Sequence, residues 1–208
     1  MQVDLASRSV HHRKYGTTFA DSWVTHDGTT IVAVGSVFSG EDRVAVSDLV
    51  RTAAHALAGS RVMLHDAIAA LDRVVVKHAQ DHRDPALAVA VALLGFPRTG
   101  DAVDFVGAGQ LHVAVFDGLG TPEALYGLDA ALGAGIEPDP DETRYLVQRL
   151  HRDDTVVAST VPIAPGWWPG GRNAAAVLAA HAGDPEASAA VIAPREMGIS
   201  AGRIRGRP

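Results

Sequence analysis

The sequence predicts an α+β fold in four layers: two antiparallel sheets packed face to face, flanked by helices. Three observations carry that expectation. Strand-like runs come first, two helix-patterned segments follow, and a long series of strands comes next, so the elements are segregated rather than alternating. Asp-Gly signals stand at the ends of strand-like runs, which marks antiparallel hairpins. Ala, Val and Gly carry the apolar content and aromatics are few, which suits closely packed layers. At 208 residues, 47% of them apolar, the chain can bury one substantial core. It shows no linker, repeat or low-complexity segment, so one domain over residues 1–208 is expected.

The elements follow in order. "QVDLASRSV" alternates as a strand does. "ADSWVTHDGTTIVAVGS" reads as two strands joined at His26-Asp27-Gly28-Thr29. The second runs on through "TIVAVGSVFSGED", where Gly35 to Gly40 reads as a turn that opens a helix. From Asp42, the residues Val46, Leu49, Val50, Ala53, Ala54 and Leu57 recur at helical spacing, and Gly59 stops a helix expected over 42–58. From Val62, the residues Leu64, Ile68, Leu71, Val74 and Val75 repeat the pattern for a helix over 62–80. A polar stretch then ends at Pro85.

The period changes there. "ALAVAVALLGF" reads as a buried strand, and "AVDFVGAG" and "LHVAVFDG" as a hairpin across Gly109-Gln110, with Asp117-Gly118 as the next turn. "LDAALGAGIEPDPDET" is a loop by its turn residues. "RYLVQRL" and "DTVVAST" are strands joined near Asp153-Asp154. After the loop "VPIAPGWWPGGR" come a short helix, "NAAAVLAAHAG", with Asn173 as N-cap, and a last strand, "ASAAVIAP". The basic tail "GRIRGRP" reads as a solvated, frayed terminus, with weak contact to an acidic partner as the functional alternative.

Composition removes several classes of function. A net charge of −6 and a pI near 5.9 argue against nucleic-acid binding. The absence of cysteine excludes disulfides, thiolate zinc sites and cysteine nucleophiles. The first residues lack an apolar signal core, and no apolar run reaches the roughly 18 residues of a membrane span. A soluble cytoplasmic protein without membrane contact is expected. No Gly-x-Ser-x-Gly elbow appears, and Met1-Gln2 offers no N-terminal nucleophile without processing. His78 and His82 lie at i, i+4 near Asp81 and Asp84, but a zinc site needs a third ligand, and a solvated helix end is the reading taken. Backbone N–H groups of "GSVFSGED" could receive an anion, yet Glu41 and Asp42 at the helix start would repel one. Trp167 and Trp168 either cover a sheet edge or helix or mark a partner surface.

Four segments together resemble the PPM family of metal-dependent (protein phosphatase 2C-like) phosphatases. They are "FADSWV", "VAVGSVFSG", "FVGAGQLHVAVFDG" and "ALGAG…LHRDDTVVAST". The closer similarity is to the small bacterial branch of the sporulation stage II E and stressosome feedback phosphatases. It spans residues 10–193 as the core and leaves a basic tail at 196–208.

The resemblance implies a cleft where two Mg²⁺ or Mn²⁺ ions, held by carboxylates, activate water toward phosphoserine or phosphothreonine. The matching positions are Asp21, Ser36 with Val37 beside it, Val161 and Glu186. Two of the expected aspartates are thus a serine and a valine, and the late one is a glutamate. The implied reading is a vestigial metal site in a silent pseudophosphatase, with no cofactor. Such a protein would bind a phosphoprotein or regulatory protein of a bacterial switch. Its oligomeric state is left open. Two alternatives stand beside it. One is an active Mn²⁺- or Mg²⁺-dependent serine/threonine phosphatase with a reduced site of Asp21, Glu186 and Asp153 or Asp154. The other is a purely structural or oligomeric interaction domain.

Overall fold

In the computed structural model the described residues are 2–8, 11–12, 16–59, 64–98, 102–109, 111–116, 122–128, 132, 144–151, 154–159 and 199–205. The chain opens with strands β1 (Gln2–Arg8), β2 (His11–His12), β3 (Gly16–Val24) and β4 (Thr30–Ser39). Helices α1 (Arg43–Gly59) and α2 (Leu64–His82) follow. Then come β5 (Ala88–Phe96), β6 (Ala102–Ala108), β7 (Leu111–Phe116), β8 (Pro122–Leu128), β9 (Arg144–Arg149), β10 (Thr155–Ser159) and β11 (Ile199–Arg205). A six-stranded sheet has the order β2-β3-β4-β5-β6-β9, and a five-stranded sheet the order β1-β11-β10-β7-β8. Every strand pairing among the described residues is antiparallel.

The six-stranded sheet is the middle layer, and its strands β4 and β5 are buried on both faces. Ala33, Val37, Val89, Val91 and Leu93 pack against Val46, Val50, Ile68, Leu71 and Val75 of the helices. The alternate residues Val32, Val34, Ala90, Ala92 and Leu94 pack against Leu111, Val113, Val115, Val156 and Ala158 of the other sheet. That double burial is why β4 and β5 read as unbroken apolar runs, a pattern more usual in parallel sheets. The helices of this α+β architecture cover one outer face; the helix expected from Asn173 and the strand "ASAAVIAP" lie outside the described residues.

The first hairpin forms where the sequence places it. Thr25 N–H donates to Thr29 O at 2.8 Å, Gly28 takes φ 85°, and Asp27 Oδ1 accepts from Thr29 N–H at 3.1 Å and from the Thr25 hydroxyl. Both helices lie within two residues of their expected limits, and Asp42 caps α1 by accepting from Ala45 N–H at 3.0 Å.

Four expectations need correction. The stretch from Gly35 to Ser39 is not a turn: β4 continues through it, Gly35 is covered by the ring of its cross-strand partner Phe19, and only Gly40, at φ 114°, turns the chain. β6 and β7 are not a hairpin, because β6 pairs with β5 and β9 while β7 pairs with β8 and β10. Gly109, at φ 95°, takes the chain from one sheet to the other, tightly packed on Ala90. β8 stands between the Asp117-Gly118 turn and the expected loop, where the sequence predicts no element. Residues 199–205 of the tail are not frayed: as β11 they lie between β1 and β10 and pair with both. Backbone hydrogen bonds on two sides hold a strand that its Ser, Gly and Arg content does not advertise.

Candidate functional site

The β3–β4 register decides which side chains meet. Counting outward from the Asp27-Gly28 turn, Val24 pairs with Thr30, Asp21 with Ala33 and Thr18 with Ser36. Asp21 and Ser36 are therefore three rungs apart, roughly 10 Å along the strands at about 3.3 Å per residue. They also sit on opposite faces. Ser36, 1% exposed, is in phase with Val32 and Val34, which point between the sheets. Asp21 is in phase with Phe19 and Trp23, which pack toward the helices. Its Oδ1 accepts from Ser22 N–H at 2.8 Å, and its Oδ2 lies 3.8 Å from Arg51 of α1, with both side chains over 40% exposed. That exposure makes the pair worth little. Val37, fully buried, is next to Ser36 in the chain but belongs to the helix-side core.

The residue beside Ser36 is Thr18, which the motif comparison missed. The signal was in the sequence: rung counting from the turn finds it. Asp154, 1% exposed, accepts from His151 N–H at 2.6 Å and lies 3.5 Å from His151 Nδ1. It staples the corner where the chain passes from β9 to β10, in different sheets. Asp153, Val161, Trp167, Trp168 and Glu186 lie outside the described residues.

At the end of β4 the protein supplies its own anions. Asp84 Oδ2 accepts from Glu41 N–H at 2.9 Å, and its Oδ1 from Ala86 N–H at 3.3 Å. The Ser39 hydroxyl donates to Ala86 O. The entry to α1 is thereby tied to the loop between α2 and β5. Two of the N–H groups that a phosphate would seek, those of Glu41 and Ala45, already face carboxylates.

No family model matches the sequence, and no curated protein matches it. Solved structures do. A serine/threonine phosphatase of S. agalactiae superposes with a TM-score of 0.75 at 10% identity, covering 98% of this chain and 99% of its own. The chain has the fold of the PP2C-type serine phosphatases. The phosphatase fold recurs in the PP2C domain, with a regulatory fragment, of SpoIIE from Bacillus subtilis, at TM-score 0.73 and 12% identity, covering 100% of this chain and 65% of that one. The RsbU and RsbW domains of Rv1364c from Mycobacterium tuberculosis match at TM-score 0.70 and 18% identity, over 99% of this chain and 61% of that one. This chain thus spans under two thirds of the length of those last two.

The divalent ions associated with this phosphatase fold prefer carboxylate oxygens. The rung facing the space between the sheets carries Thr18 and Ser36, both hydroxyls, and among the described residues no three of His, Asp and Glu converge on a metal position. The described residues do not fit a pair of such ions.

Proposed function

We propose that this chain is a single-domain, catalytically silent module with a phosphatase fold, acting by binding in bacterial phospho-signalling. The observation that supports it is the hydroxyl rung of Thr18 and Ser36 between the sheets, with Asp21 three rungs away on the other face. Neutral hydroxyls cannot offset the four positive charges of two divalent ions, so no bridged water is activated. A regulatory protein or phosphoprotein is the partner class, in keeping with a neighbour whose structure joins an RsbU domain to an RsbW domain. The cytoplasm is its compartment.

The test is calorimetric titration with Mn²⁺ beside hydrolysis of p-nitrophenyl phosphate and a phosphoserine peptide. No saturable heat and no Mn²⁺-dependent turnover are expected. The double variant Thr18→Asp/Ser36→Asp places carboxylates on one rung and should acquire Mn²⁺ binding, read as a melting temperature that rises with Mn²⁺. Wild-type turnover that drops on Asp21→Ala would overturn the proposal.

A further inference from the structure

We propose that His78 and His82 form a surface site for a borderline divalent transition metal, Zn²⁺, Ni²⁺ or Cu²⁺, with Nε2 of His82 as one ligand. The two imidazoles occupy the last turn of α2, one helical turn apart on one face. Their rings stack with centroids 4.0 Å apart and planes at 22°. Two nitrogens bound at about 2.0–2.1 Å to one tetrahedral ion stand roughly 3.3 Å from each other. The lone pairs lie in those two nearly parallel planes, so binding one ion requires the His78 ring to change rotamer until its nitrogen faces Nε2 of His82.

A second, independent feature is the hydrogen bond of His82 itself. Its Nδ1 lies 3.0 Å from the carbonyl oxygen of His78. A carbonyl can only accept, so Nδ1 is the donor, and in the neutral imidazole Nε2 is then the nitrogen with the lone pair. An N–H donated to a backbone carbonyl is the usual way a metal-binding histidine is oriented, and it raises the basicity of the ligating nitrogen.

The surroundings permit a cation. Asp81, next to His82 in the chain, pairs with Lys77 at 2.7 Å. Asp84 is engaged with Glu41 and Ala86. Arg83, at φ 54°, ends the helix beyond the pair. Two protein nitrogens leave the remaining positions to water or to a donor from another molecule, so affinity in the micromolar range rather than that of a structural zinc site is expected. Imidazole is a good ligand for these metals and a poor one for Mg²⁺ or Mn²⁺, which separates this site from the one the phosphatase fold would use.

The test is titration of the intact chain with ZnCl₂, NiCl₂ and CuCl₂ near pH 7.5, read by calorimetry and, for Cu²⁺, by its visible absorption band. One equivalent should bind with affinity rising from Zn²⁺ to Cu²⁺. His82→Ala and His78→Gln should each weaken it at least tenfold with unchanged circular dichroism. His55→Ala, an exposed histidine on α1, should leave it unaltered. Absence of saturable binding, or affinity that survives both His78→Gln and His82→Ala, overturns the proposal.

Discussion

Gly35 has a methyl-sized reason to be glycine. A Cβ there would run into the Phe19 ring and lie 2.8 Å from the backbone oxygen of Ala90, which cannot move alone. Gly35→Ala should destabilise the protein by about 1–3 kcal/mol, the usual range for overpacking, read as a lower midpoint in urea at unchanged slope. Asp27 supplies a pH-dependent contribution at the same scale. The Thr25 hydroxyl foremost, then Thr29, hold its carboxyl below the ordinary 3.8. A lowered folded pKa means that stability is present above the unfolded value and is lost as pH falls through the folded one. Asp27→Asn should therefore be less stable than wild type at about pH 6, and the gap should shrink as pH drops below about 3.8. Urea denaturation across that range checks it, and a gap constant with pH would show that the charge plays no part.

Among the elements, β11 makes the clearest demand. It fills the slot between β1 and β10 and pairs with β1 along its whole length. Removing residues 199–208 exposes backbone on both neighbours and disconnects β1 from the sheet. Since each 1 kcal/mol shifts the melting temperature by about 2–4 °C for a chain of this size, the truncation should lower it by more than about 10 °C or abolish the cooperative transition. Scanning calorimetry decides, and an unchanged transition would show that β1 and β11 add nothing to the fold. The helices were easier to read. Their apolar spacing, the Asp42 cap and the stop at Gly59 all act within the segment.

At the scale of the whole molecule, the corners carry the architecture. The chain passes between sheets at Gly109 and at Asp154, so β6 and β7, and likewise β9 and β10, lie in opposite sheets instead of pairing. Leu111 and Val113 thereby close over Phe105 and Ala92. The same packing leaves Ser36 between the sheets and turns Asp21 outward to Arg51. The sequence by itself determined the layer type, both helices, the first hairpin and which strands are buried, because periodicity, caps and turn residues act over a few neighbours. Only the tertiary structure decided which strands pair across Gly109, where the basic tail goes, and that the face carrying Ser36 lies between the sheets while that of Asp21 meets the helices. Pairing and register are settled by which faces find dry partners at long range, and a one-residue change of phase moves a carboxylate from the cleft to the solvent.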